Sequence, residues 1–149
     1  MAVKNQLAQS AEAPMFLLLA GLSGLVLPLL LILPVYAFGY SEVLEELAKA
    51  VAVFLFLCPV AERKTRVLGA VVLGGVFGLS ESCLYFSQIF QFGDIHIFWE
   101  RLAFTLPMHV LTAVALTVPT FWGRRWLILG VILAIFFHLG FNYFAATSL

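Results

Sequence analysis

Within the stretch SEVLEELAKA (41–50), two adjacent acids, Glu45 and Glu46, and a base, Lys49, lead a run that continues as VAVFLFLCPVA. Further along stand Glu81 with Tyr85, Arg101 with His109, and His138 with Asn142, each in apolar surroundings. Carboxylates, histidines and an amide gathered at one place are groups that acid–base catalysis and oxyanion stabilisation use. An ionisable side chain inside a membrane-spanning helix costs roughly 2.5–3.5 kcal/mol at mid-membrane on insertion scales, and by default marks a functional site. Spacing aligns these groups. Glu45 and Lys49 are four apart and Glu46 and Lys49 three apart, so either acid can face the lysine on one helix. Phe77, Glu81 and Tyr85 make a second stripe, Arg101, Thr105, His109 and Thr112 a third, and His138 with Asn142 a fourth.

The elements that carry these stripes are membrane helices. Of the 149 residues 63% are hydrophobic and 11% charged, 15 are Phe, and the mean hydropathy is +1.07. So little polar surface cannot cover a water-soluble globule. The formal net charge is zero, and no long basic run points to nucleic acid. At about 20 apolar residues per crossing, the chain divides into five segments, 15–38, 42–62, 66–92, 97–122 and 125–147. The expected fold is an all-α, polytopic bundle of five transmembrane helices forming one integral membrane domain over 1–149. Met15 to Val35 is longer than a signal-peptide core and is expected to stay as a helix.

Lys4, the second connection (Arg63, Lys64, Arg66) and the fourth (Arg124, Arg125) fall on one side and hold six of the eight basic residues. The positive-inside rule then puts the N-terminus in the cytoplasm and the C-terminus outside. The outer side carries Glu42, Asp94 and Glu100, with Arg101 just inside helix 4; Glu42 and His96 read as interfacial and inert. Trp122 and Trp126 mark the inner boundary and Trp99 the outer one. With a rise of about 1.5 Å per residue, Glu81 lies about 16 Å below the outer end of helix 3 and His109 near mid-membrane. All the polar groups therefore converge on the outer half of the bilayer. Gly74 and Gly78 form a GxxxG, with Gly69 and Gly75 as further small positions, and let helix 3 approach a neighbour closely. Pro28 and Pro34 are expected to kink helix 1. Cys58 and Cys83 lack any metal or disulfide spacing and read as small buried hydrophobes.

Taken singly, the polar residues have structural explanations: Glu81 as the ion-pair partner of Lys49 or Arg101, and each histidine as a hydrogen-bonded core residue. Two acids side by side with two histidines and an asparagine at one depth favour catalysis.

EELAK (45–49), GGVFGLSESCLY (74–85), Arg101 eight residues before His109, and HLGFN (138–142) resemble, in order and in placement on helices, the PrsW family of membrane proteases. That family is related to the CAAX prenyl endopeptidase and bacteriocin-processing group of glutamic intramembrane proteases. The resemblance covers 42–144. The CAAX branch would show EExxxR and FxxxH, whereas Lys49 follows at the shorter spacing and Thr105 takes the place of Phe. Ser82 stands where an Asn commonly follows the helix 3 acid. The resemblance implies a multi-pass protein of a prokaryotic plasma membrane. It also implies that Glu45 activates water, that His109 helps to hold that water, that Glu46 and Lys49 position the first acid, and that His138 and Asn142 stabilise the oxyanion. Glu81, Tyr85 and Arg101 are supporting residues. The implied substrate is a membrane-anchored protein or peptide cut near its extracytoplasmic juxtamembrane region, and no cofactor is implied.

Which adjacent glutamate acts on water is left open by spacing. Three other readings also remain: a zinc protease using His109, His138 and Glu45, serine or cysteine catalysis through Ser82 or Cys83, and a non-enzymatic transporter or binding module.

Overall fold

A computed structural model describes residues 2–60, 62–91 and 95–148, and these are helical almost throughout, with no strand among them. The helices are α1 (Ala2–Phe38), α2 (Ser41–Ala52), α3 (Arg63–Gln91), α4 (Ile95–Thr117) and α5 (Leu127–Ser148). A π-helical turn, Val53–Leu57, extends α2, and 3₁₀ turns at Val118–Trp122 and Arg124–Trp126 join α4 to α5. Among the described residues four stretches, Ala13–Phe38, Arg63–Phe86, Ile95–Trp122 and Arg124–Ala145, are long and apolar enough to cross a membrane. The side chain of Lys4 and the connection at Phe92, Gly93 and Asp94, which enter the charge argument for orientation, lie outside the described residues.

The second segment is shorter than the expected 42–62. The helical run ends at Leu57, capped by Cys58, which is still in right-handed helical conformation, because Pro59 has no N–H to donate to a further turn. Helix 1 begins well before residue 15 and runs unbroken through Pro14, Pro28 and Pro34. Cys58 is buried as expected, whereas Cys83 is exposed. Ser82 is buried, and the roughly 100° turn from one helical residue to the next carries Cys83 off that inward face.

Only Gly39 and Tyr40, both with left-handed backbone (φ 68° and 52°), separate α1 from α2. The Gly39 N–H closes α1 on the Val35 carbonyl at 2.9 Å, and the Tyr40 carbonyl accepts from Val43 and Leu44 to start α2. So short a reversal packs α1 and α2 as antiparallel neighbours. It sets Ser41, Glu42, Glu45 and Glu46 at the end of the bundle where the chain turns.

Helix contacts are close where side chains are missing. A Cβ on Gly24 would stand 3.0 Å from the Phe77 nitrogen and 3.2 Å from Val76 Cβ, so α1 lies against the middle of α3. Just beyond, Ser80 donates to the Leu25 carbonyl at 2.9 Å. A Cβ on Gly74 would run into the His109 carbonyl, and one on Gly78 would sit 3.1 Å from Leu106 Cα. The GxxxG is therefore the α3–α4 contact, and it sets the distance between Glu81 and His109. Gly130 serves α5 in the same way against Leu116. Small and branched residues such as Ala50, Leu57, Leu73, Ala113 and Leu116 fill the core. Large apolar side chains, among them Leu33, Tyr36, Leu111 and Phe136, are exposed around the outside, an arrangement suited to lipid and not to water.

Candidate functional site

The side chains singled out in the sequence meet at the end of the bundle where α1 turns into α2. Lys49 is fully buried, with no accessible surface. Its ammonium contacts Glu46 Oε1 at 2.6 Å, Thr112 Oγ1 at 2.9 Å and His109 Nδ1 at 3.0 Å. An ammonium has three hydrogens and no lone pair, so all its donors are used. Phe77 lies beside it, 4.8 Å from Nζ to the ring centroid. The i, i+3 pairing with Glu46 is realised, and Glu45 makes no hydrogen bond to the lysine.

This network sets which way the Nδ1 atom of each histidine is used. Because Lys49 can only donate, His109 accepts at Nδ1 and carries its hydrogen on Nε2. That Nε2–H donates to Glu81 Oε2 at 2.5 Å. Both nitrogens of His109 are therefore occupied, and the ring, 4.9 Å from Phe77 and fully buried, is a fixed part of the wall. His138 is set the other way. Its Nδ1 lies 2.8 Å from Glu46 Oε1, the same oxygen that takes Lys49, so Nδ1–H donates, and in the neutral ring Nε2 is then the nitrogen with the lone pair. The two rings pack edge to face at 5.3 Å.

Glu45 is the carboxylate that this network leaves unpaired. Its Oε2 is buried without a hydrogen-bond partner and lies 4.0 Å from His138 Nε2. Two acceptors at that separation can be bridged by one water donating to both. Glu45 lines a chamber of about 150 Å³ together with Glu81, Tyr85, Arg101, His138 and Asn142. It also lines a cleft of about 420 Å³, whose α1 wall is apolar (Pro28, Leu31, Ile32, Val35) and whose α3 wall includes Phe77, Glu81 and Leu84. Ser41, Glu45, Glu81 and Tyr85 are common to both. Below the cleft α1 and α3 touch at Gly24, and Ile32 and Tyr36, which line it, are exposed.

The supporting residues fall into place around this core. Glu81 pairs with Arg101, 3.6 Å from Oε1 to a guanidinium nitrogen, and not with Lys49. The guanidinium stacks on Tyr85 at 3.9 Å. Asn142 donates to Glu42 Oε1 at 2.9 Å, and Ser41 donates to the other Glu42 oxygen at 3.2 Å. Glu42, read as interfacial and inert, is thus part of the site. The signal was present, since residues 42, 45, 46 and 49 share one helix face. Ser82 donates to its own helix at the Gly78 carbonyl, 2.7 Å away, which turns its hydroxyl from the chamber.

Glu45, His109 and His138 each offer a ligand atom, all within 4.8 Å of one another. Two histidines and a carboxylate are a donor set that zinc accepts, and the Glu46 carboxylate behind His138 is the kind of outer partner metal-bound histidines carry. His109 fits less well, because its Nε2 is already bonded to Glu81.

No protein-family model, curated protein or solved structure matches the chain. Its class is therefore argued from this constellation.

Proposed function

We propose that the protein is a membrane-embedded endopeptidase of the glutamic type, acting on membrane-anchored proteins or peptides, as the resemblance to the PrsW family implies. One observation carries the reading: the unpaired Glu45 carboxylate faces His138 Nε2 across 4.0 Å, where the polar chamber meets the apolar cleft.

In this scheme a water bridges Glu45 Oε2 and His138 Nε2. Its oxygen forms a bond to the scissile carbonyl carbon, one of its protons passes to Glu45, and the C=O π pair moves onto the carbonyl oxygen. The tetrahedral intermediate then expels the amine as the C–N bond breaks, and the proton on Glu45 goes to the leaving nitrogen. Glu46 keeps His138 in the accepting tautomer. Lys49 and Glu81 lock His109, which is a positioning residue here. Asn142 lies on the chamber wall beside the reacting centre.

The same reading has α2 and its π-helical extension complete a five-helix bundle in a prokaryotic plasma membrane. The N-terminus is cytoplasmic and the site lies in the outer half of the bilayer. A substrate anchored in that bilayer reaches Glu45 along the cleft between α1 and α3, whose apolar wall accepts an apolar segment out of lipid.

The test is cleavage of a membrane-anchored reporter in proteoliposomes. Glu45→Gln, His138→Ala and His109→Ala are each expected to abolish cleavage while the protein still inserts and folds. Normal cleavage by all three variants refutes the proposal.

The His109, His138 and Glu45 cluster favours a second reading, a zinc-dependent protease in which those three residues hold the ion and the metal activates water. Metal analysis of the purified protein, with activity measured after chelation and after zinc is returned, decides between the two.

A further inference from the structure

We propose that the end of the bundle opposite Glu45 binds the phosphate of an anionic phospholipid, held by Arg63, Arg66 and Arg124. This site does not depend on the hydrolase reading. The start of α3 carries Arg63, Lys64 and Arg66, and the connection from α4 to α5 carries Arg124 and Arg125. Packing brings the two together. Arg66 Nε donates to the Val60 carbonyl, and its Nη1 donates to the Thr120 carbonyl at 3.4 Å. The Arg63 guanidinium lies 5.4 Å from the Phe121 ring centroid, which seats the first turn of α3 against the Val118–Trp122 turn. The Arg124 guanidinium lies 5.9 Å from the ring centroid of Phe54, on the π-helical extension of α2. Arg66 is within electrostatic reach of both Arg63 and Arg124.

Three guanidinium groups are thus gathered with no carboxylate between them. Glu62 is the one acid in either connection. Its carboxylate accepts from Thr65 at 2.8 Å and makes no ion pair among the described residues. Like charges held close repel, and a bound anion offsets that cost. The two carbonyls that fix Arg66 leave its other N–H groups uncommitted. Arg63 and Arg124 are exposed, each with a ring beside it, and neither donates a side-chain hydrogen bond among the described residues. A planar guanidinium fork matches the oxygens of a phosphate. Depth assigns that phosphate to a lipid and not to solution. Arg63 and Arg124 are the first residues of two of the stretches long and apolar enough to cross a membrane. Leu68, Ile128 and Leu129, a little further along those stretches, are exposed, as are Trp122 and Trp126 on either side of Arg124. Exposed tryptophans favour the headgroup level, and basic pockets between helices at that level take acidic headgroups. Along α3, Arg66 is about 22 Å from Glu81 by the helical rise, so the two sites occupy opposite ends of one helix.

The experiment uses the full chain in detergent micelles, with thermal denaturation followed by circular dichroism as lipid is titrated in. Dioleoylphosphatidylglycerol is expected to raise the melting temperature saturably. Dioleoylphosphatidylcholine, with the same chains and no net charge, should raise it far less, and millimolar inorganic phosphate should not reproduce the shift. Each variant is compared with its own melting temperature in phosphatidylcholine, so a change in basal stability does not enter. Arg63→Gln/Arg124→Gln should weaken the apparent affinity for phosphatidylglycerol at least about tenfold, the loss of one or more hydrogen bonds between charged groups. Lys64→Gln/Arg125→Gln removes the same charge beside the site and should change that affinity less than about threefold at physiological ionic strength, where charges outside the contact are screened. Equal losses in the two double variants would mean diffuse attraction to a basic end, and that result overturns the assignment. So does a wild type that does not distinguish the two lipids. An equal shift with inorganic phosphate refutes the lipid as the source of the anion.

Discussion

Replacing Lys49 by Met removes a buried charge while keeping a long, flexible, apolar side chain in the same space. In the native site the ammonium has no accessible surface and satisfies Glu46, His109 and Thr112 at 2.6, 3.0 and 2.9 Å. Without it Glu46 has one buried oxygen already unpartnered and another facing only His138. Breaking a buried ion pair from one side costs about 3–5 kcal/mol, because the remaining charge stays desolvated. That corresponds to roughly two to three and a half orders of magnitude in the folding equilibrium. Replacing both members with apolar residues removes the orphaned charge, so Lys49→Met/Glu46→Leu should cost at least about 2 kcal/mol less than the sum of the two single changes. The assay is reversible unfolding in mixed micelles titrated with a denaturing detergent, followed by circular dichroism and tryptophan fluorescence. A single variant within about 1 kcal/mol of wild type, or strict additivity in the double variant, refutes the argument that this pair anchors the site.

Glu42→Ala frees Asn142 by removing a hydrogen bond to a charged acceptor, worth about 1.5–3 kcal/mol; cleavage should fall while Glu42→Gln, which can still accept, keeps most of it, and steady-state kinetics on the two variants check this. Gly74→Val overpacks the α3–α4 contact at the His109 carbonyl and should cost about 1–3 kcal/mol in unfolding experiments, with cleavage lost as His109 is pushed from Glu81. Leu31→Trp fills the cleft between α1 and α3 from its lipid side; cleavage of a membrane-anchored reporter should fall about tenfold or more with thermal stability kept, and unchanged kinetics would exclude the cleft as the substrate path.

The helices and the polar stripes were legible because both rest on local periodicity. Hydropathy located the long apolar stretches, and three- and four-residue spacing put Phe77, Glu81 and Tyr85 on one face. GxxxG announced a close helix contact, and the structure supplies the partner, His109 and Val110 on α4. What was not legible depends on distant contacts. The spacing let Lys49 face either glutamate. Its choice of Glu46 is bound up with Thr112 and His109, some 60 residues away in the chain. The tautomer of His138 depends on an oxygen 92 residues away. The shortened second helix had a local signal in Pro59, but the apolar run hid it because hydropathy does not register a missing N–H. Glu42 was set aside for its position near a helix end, although the face it shares with Glu45, Glu46 and Lys49 was countable.

Those contacts also make two neighbouring glutamates unequal. Four carboxylates enter the site. Glu42 takes Asn142 and Ser41, Glu46 takes Lys49 and His138, and Glu81 takes His109 and Arg101. Glu45 has no hydrogen-bonded partner, only the distant His138 Nε2. One step of about 100° along α2 separates an acid built into the α4–α5 side of the network from one turned to the cleft beside α1 and α3. A carboxylate that is buried and unpaired weakens the fold by its desolvation, so neutralising it should not harm stability. Glu45→Gln is expected to melt at or above the wild-type temperature while losing cleavage, the trade of stability against activity seen where a site is kept strained for function. Glu46→Gln removes the acceptor shared by Lys49 and His138 and should melt below wild type. Thermal denaturation of the two variants side by side checks the assignment, and a Glu45→Gln protein less stable than Glu46→Gln would mean that the adjacent acids have been given each other's roles.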